Sequence, residues 1–291
     1  MTRLCCGRHL NDPGIRNSIC NTGRPLRSCP GTTNFYNGET MFIKTEGVVL
    51  REVGINEADK LLEILSRDRG LLTVKARGVR RGRSPIKSAC QLLTFSEFTL
   101  AEYGGKLTVQ EAQSIEQFRL LRCSIELLSL GSYFAQAAGV VAQEDAPNPE
   151  LLSLLCNALY ALSHLQRQPA LVKAAFELRL ACLAGFAPEL TACCRCGSPE
   201  PDRFDLSCGA ASCAGCKTEE SGIRMPLSAG MLQAMRFIVW CEPKKLFSFR
   251  LEEEALQALG SVTEAYLMTQ LEHRFSTLDF YKSLLQYGET L

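Results

Sequence analysis

Two closely spaced cysteine pairs carry the most specific chemistry in this 291-residue chain. Cys193-Cys-Arg-Cys196 is followed by sixteen intervening residues and then by Cys213-Ala-Gly-Cys216. Each CxxC turn presents two thiolates to one side, and two such turns can close a tetrahedral S4 shell around Zn²⁺. Four protein ligands leave no position for water, so the predicted ion is structural and not catalytic. A redox reading would need a strand–helix setting around one CxxC, which the pattern does not supply. Cys194 and Cys208 are extra thiols and are read as bystanders. Fifteen cysteines in all, an odd number at mostly irregular spacing, point to reduced thiols and a cytosolic chain. Cys90, Cys123, Cys156, Cys182 and Cys241 sit singly in apolar or helical patterns, where a small core hydrophobe is expected.

A second constellation is cationic. Arg67, Arg69, Lys75, Arg77, Arg80, Arg81, Arg83 and Lys87 face only Asp68 as a counter-charge, a net of +7 in 21 residues. Thr73, Lys75 and Arg77 alternate with Leu72, Val74 and Ala76, the pattern of a strand with an apolar inner and a cationic outer face. That strand runs into the loop Gly78-Val-Arg-Arg-Gly-Arg-Ser84, where arginines offer several donors to phosphate oxygens. The run therefore predicts phosphate binding with weak base preference at Lys75, Arg77, Arg80, Arg81, Arg83 and Lys87. The first 120 residues are net +6 and the remainder net −5, so the polyanion-binding part lies at the front.

No Walker loop, HExxH, GxSxG or EF-hand pattern is present. His9, His164 and His273 are the only histidines, and none has a partner at a telling spacing. The expectation is a binding protein and not an enzyme. No stretch reaches 18 apolar residues, so no membrane span is predicted.

The elements that must position these groups change character along the chain. Residues 1–40 lack any helical or strand period and are expected to be a disordered or artefactual extension, with a transit peptide as the alternative. From Met41, five short β-like runs follow: Phe42–Arg51, Lys60–Ser66, Leu71–Gly78, Thr94–Glu102 and Lys106–Ser114. Five strands in about 75 residues suggest an OB-fold β-barrel over 41–118. Phe42, Phe95, Phe98 and Tyr103 are assigned to its core. Beyond residue 118 the period becomes helical, over Leu121–Val141, Glu150–Gln166, Pro169–Gly185, Ser228–Trp240 and Glu252–Phe275. Residues 171–184 are apolar nearly all round, as the buried centre of a bundle would be. The class is thus α+β multidomain: a barrel, then an α-helical domain at 119–189 and 226–291 that carries a zinc-ribbon insert at 190–225.

Phe42-Ile-Lys-Thr-Glu-Gly-Val-Val-Leu50, Lys75-Ala-Arg-Gly-Val-Arg-Arg-Gly-Arg-Ser84, Leu183-Ala-Gly-Phe-Ala-Pro-Glu-Leu190 and the two CxxC pairs, in this order, resemble the bacterial RecO family over about 41–285. The resemblance implies an OB domain, a helical domain and a zinc insert. It also implies a DNA-repair and recombination mediator that binds and anneals single- and double-stranded DNA. With RecR, such a protein helps load RecA onto DNA coated by single-strand-binding protein, without nucleotide hydrolysis. The family docks the acidic tail of single-strand-binding protein on its helical domain, and a groove near Phe237, Trp240 and Lys244–Lys245 is the place where that tail is expected. The implied location is the cytoplasm, with the nucleoid. The competing reading is a zinc-stapled protein–protein adaptor that does not touch DNA.

Overall fold

A computed structural model describes residues 33–37, 40–216 and 222–288. Strands β1 (Thr33–Asn37), β2 (Thr40–Gly54), β3 (Lys60–Ser66), β4 (Gly70–Ala76), β5 (Phe95–Tyr103) and β6 (Lys106–Glu116) form the N-terminal sheet. Its order is β1-β2-β3-β4-β6-β5, and β5 pairs again with β2. The five strands β2–β6 make the expected OB-like barrel, closed between β4 and β6 by only two parallel pairs, Val74 with Leu107 and Lys75 with Thr108. β2 serves both flanks because it bends. Its first half pairs with β5 and its second with β3, across a register shift between Val49 and Arg51. At the crossover a Cβ on Gly47 would lie 2.7 Å from Ile64 Cγ2 and from the Leu65 carbonyl, so only glycine fits.

β1 is a sixth strand within the segment expected to be unstructured, and it pairs antiparallel with β2. Residues 1–32 and 38–39, the rest of that segment, lie outside the described residues.

The barrel interior is packed with Ile43, Val49, Leu62, Ile64, Val74, Phe98 and Leu100. Alternate residues of the same strands point outward onto the helices. Val48, Leu50 and Leu65, with Leu93 from the turn before β5, belong to the core of the helical domain, so the two domains share an apolar interface. Phe98 is in the barrel core as expected, but Tyr103 is 69% exposed. It closes β5 at the hairpin Gly104-Gly105, where its ring faces solvent.

Helices α1 (Ile125–Val141), α2 (Pro149–Ser163), α3 (Pro169–Leu183), α4 (Ala229–Trp240), α5 (Glu253–Leu271) and α6 (Ser276–Gly288) build the second domain. Their ends follow local chemistry. Ser124, Asn148 and Ser228 accept the capping bonds from Leu127, Leu151 and Met231, and Pro149 and Pro169 begin α2 and α3. Gly185, at φ +95°, stops the chain after α3. One helix, α5, fills the span expected over 252–275 and ends where Glu272 adopts φ +49°; α6, not expected from the sequence, then turns back to pack along α1, burying Leu278 and Tyr281.

α3 is the centre of the bundle, as its all-round apolarity suggests, yet it buries two charges. Glu177 is fully enclosed and accepts hydrogen bonds from Lys173 Nζ, Tyr133 Oη and Thr263 Oγ1, each 2.8 Å long. Lys173 also reaches Glu264 at 2.8 Å, and Glu264 reaches Lys282 at 2.7 Å. The network therefore ties α1, α3, α5 and α6. Burial raises the Glu177 carboxyl above its usual range, and Lys173 opposes that shift. Burial works against the Lys173 ammonium, but Glu177 and Glu264 outweigh it and hold Lys173 above its ordinary value.

Among the described residues no helix is long and apolar enough to cross a membrane. Cys90 is buried as expected of a core thiol, and Cys156, Cys182 and Cys241 are half-buried. Cys123 is exposed, because it ends a short 3₁₀ turn (Arg119–Cys123) on the surface.

Candidate functional sites: a thiol cluster and a cationic loop

The insert is a small three-stranded sheet, β8-β7-β9, formed by β7 (Arg203–Asp205), β8 (Ala210–Ser212) and β9 (Arg224–Pro226). One cysteine pair precedes β7 and the other follows β8, and the antiparallel β7–β8 pairing brings them together. The sulfur atoms of Cys193, Cys196, Cys213 and Cys216 all lie within 4.8 Å of one another. Cys193 and Cys216 are 3.8 Å apart, and Cys196 and Cys213 3.7 Å. Four thiolates at bond lengths of about 2.3 Å around one tetrahedral ion would be about 3.8 Å apart. The cluster therefore has the shape that a single metal ion requires.

Backbone amides prepare it electrostatically. N–H groups of Cys196, Arg195 and Cys213 point at the Cys193 sulfur and hold its pKa down to about 6. Burial and the neighbouring thiols push Cys213 up to about 12. A divalent cation would remove that mutual repulsion. Cys194 and Cys208 are exposed and outside the cluster, consistent with bystander roles.

The insert does not stand alone. Phe204, Leu206 and Ala211 enter the helical core, and Phe204 packs edge-on against Tyr266 at 5.1 Å between ring centroids. Arg236 of α4 donates to the carbonyls of Leu190, Thr191 and Pro199 at 2.8, 2.8 and 2.9 Å, and so clamps the first cysteine knuckle from both sides. Gln270 of α5 donates to the Leu206 and Ser207 carbonyls. Sequence reasoning missed this docking, since an arginine and a glutamine on amphipathic helices carry no mark of their partners.

The cationic run leaves the barrel at the end of β4. Leu72, Val74 and Ala76 are buried and Thr73 and Arg77 are exposed, matching the alternation read from the sequence. Arg77, Arg80, Arg81, Arg83 and Lys87 are all exposed, along one surface strand-to-turn segment. Among the described residues no ion pair engages Arg77, Arg81, Arg83 or Lys87. Lys75 differs: its ammonium lies 3.1 Å from Asp59 Oδ2.

Asp59 is the organiser that sequence reasoning overlooked. Its other oxygen accepts the Gly78 N–H at 2.8 Å, and Asn56 Nδ2 donates to Oδ2 at 3.2 Å. These bonds, led by that from Gly78, hold its carboxyl down at about 2. Arg80 completes the clasp, with Nη1 donating to the Asn56 carbonyl at 2.7 Å and its backbone N–H to the Ala58 carbonyl at 3.0 Å. The signal was present in the turn Asn56-Glu-Ala-Asp59, where Asn56 Oδ1 accepts the N–H groups of Ala58 and Asp59.

A third feature lies on the helical domain. Gln233, Arg236, Phe237, Trp240, Cys241, Glu242 and Lys245 line an open pocket of about 500 Å³, at the place expected for an acidic tail. Trp240 is 58% exposed there.

Two family models match this chain. One, described as Recombination protein O N terminal, covers residues 41–118, and the other, Recombination protein O C terminal, covers 108–279. Among curated relatives, the DNA repair protein RecO of Acetivibrio thermocellus is 35% identical over 246 residues, which are 84% of this chain and 97% of the relative. That of Desulforudis audaxviator is 30% identical over 83% of this chain and 96% of the relative. That of Caldicellulosiruptor saccharolyticus is 28% identical over 83% and 98%.

Proposed function

Because the chain belongs to the RecO family, we propose that it is a DNA-repair and recombination mediator that works by binding DNA and other proteins. It anneals complementary strands and, with RecR, helps load RecA onto single-stranded DNA coated by single-strand-binding protein. The observation that carries the DNA-binding part is the cluster of exposed cations Arg77, Arg80, Arg81, Arg83 and Lys87, none of them in an ion pair among the described residues. Lys75 joins them once a phosphate competes with Asp59 for its ammonium. Arginine forks and an exposed glycine at position 82, with open space beside its Cα, suit phosphate oxygens, while nothing in the segment is arranged to read base edges.

Zinc is the ion that suits the four thiols. Thiolate ligands at tetrahedral spacing favour it, and a complete shell gives it a structural role. Cys193, Cys196, Cys213 and Cys216 would hold it, locking the insert onto α4 and α5. The acidic tail of single-strand-binding protein would lay an apolar residue on Phe237 and Trp240 and its carboxylates near Lys244 and Lys245. A protein with these roles resides in the cytoplasm with the nucleoid.

Titration of labelled single-stranded DNA at several salt concentrations tests the reading. Neutralising about six phosphates gives a slope of log K against log salt near −4. Folded, zinc-loaded protein that binds no DNA at low salt would favour the adaptor reading instead.

A further inference from the structure

The barrel exposes apolar side chains beside its cations, on one sheet face. Val53 is 43% exposed, Ile55 50% and Leu61 37%. Val53 and Leu61 are direct cross-strand partners, so they share a face, and Ile55 follows just beyond the end of β2. Leu61 in turn pairs with Lys75, and Lys75 with Thr108. The same outer face therefore continues from Val53 and Leu61 across Lys75 to β6, with exposed Arg77 in the turn that follows β4. There Lys106 precedes Thr108 by two residues and pairs with Tyr103, 69% exposed. Two acids near this face are taken up, Asp59 by Lys75 and Glu63 by Arg51 at 3.1 Å, while Glu57 in the turn and Glu111 on β6 are exposed.

Isolated apolar residues on a surface need no explanation, but three adjacent aliphatics and a tyrosine framing a row of cations form a composite surface. We propose that Val53, Ile55 and Leu61, with Tyr103 at the far edge, are the base-contacting platform for single-stranded DNA, while Lys75, Arg77 and Lys106 hold the phosphates between them. The proposal rests on the DNA-binding reading above and adds to it the part of the nucleic acid that each side chain meets. Phosphates favour the cations, and unstacked bases offer the large apolar faces that cover aliphatic and aromatic side chains without regard to sequence. Paired bases are stacked within a duplex and cannot lie on this face, so the platform favours single strands.

The test compares wild type with V53S/I55S/L61S and, separately, Tyr103→Ala, all at exposed positions and checked for unchanged circular dichroism. Two probes of equal length and charge are titrated: an oligothymidylate and an abasic oligonucleotide. Wild type should bind the first about tenfold more tightly than the second, and each variant should lose most of that difference while keeping its affinity for the abasic probe and its salt slope. Equal binding of the two probes by wild type would overturn the proposal. So would variants that bind oligothymidylate like wild type, a result that leaves the face to a protein partner. Wild type that binds neither probe would overturn it together with the DNA-binding reading.

Discussion

Replacing Cys196 by serine should release the metal and loosen one defined part of the molecule. Three thiolates remain, and a hydroxyl is a poor fourth ligand for a thiophilic ion. Small zinc modules draw about 10–16 kcal/mol of apparent folding free energy from their metal. The loss here is smaller, because the sheet of the insert stays docked through Phe204, Leu206 and Ala211. What the metal adds is the tie between the two cysteine knuckles and, through it, the geometry of the carbonyls that Arg236 grips at Leu190, Thr191 and Pro199. Hydrogen bonds to a charged group contribute about 1.5–3 kcal/mol each and are not additive within one guanidinium, so the variant should lose about 3 kcal/mol. For a chain of this size that lowers Tm by roughly 6–12 °C. Elemental analysis should find one zinc per wild-type chain and almost none in the variant. Hydrogen exchange should quicken at 191–202 and 213–216 and stay unchanged in β2–β6. A variant that kept its zinc and its protection at those residues would refute the metal's structural role.

Other consequences follow from the same contacts. Glu177→Ala removes three buried hydrogen bonds and one of the two counter-charges of Lys173, and should cost about 3–5 kcal/mol in denaturant unfolding, whereas Thr263→Val, which removes one bond, should cost far less. Although burial raises the Glu264 carboxyl, Lys173 and Lys282 outweigh it and hold it below its usual value. Its contribution to stability is therefore complete above the unfolded carboxyl range and lost as pH falls through its folded value, so Glu264→Gln should flatten the decline in Tm below about pH 4.5. Asp59→Asn frees Lys75 for a phosphate, and the DNA salt slope should steepen by about 0.7 while amide exchange at Gly78 accelerates.

Much of this arrangement is legible in residue pattern, and the exceptions have physical causes. Alternation placed Leu72, Val74 and Ala76 inside and Thr73 and Arg77 outside, because period two admits no other solution once one face is buried. Cysteine spacing located the thiol cluster, since two knuckles on a hairpin have few ways to meet. Apolar residues all round α3 announced a central helix but hid Lys173 and Glu177, whose partners lie up to 91 residues away. Helix α6 was missed, because the reversal that leads into it is set by Glu272 at positive φ, and a non-glycine residue there leaves no compositional trace. Tyr103 was assigned to the core from its type alone, although its neighbours Gly104 and Gly105 mark a hairpin tip where a ring faces solvent. The clasp from Asp59 and Arg80 was missed because it joins a turn to a loop about twenty residues away, a distance at which pattern carries no contact information.

The central claim is that exposed cations after β4 hold nucleic-acid phosphates. Fluorescence anisotropy of labelled single-stranded DNA across several salt concentrations, with wild type beside an Arg77, Arg80 and Arg81 triple alanine variant, addresses it most directly. All three side chains are exposed, so the variant should fold and keep its zinc. A steep slope in wild type, shallower by about two in the variant with a matching loss of affinity, is the predicted result. A variant with the wild-type affinity and slope would contradict the claim and move the DNA, if any is bound, to another surface.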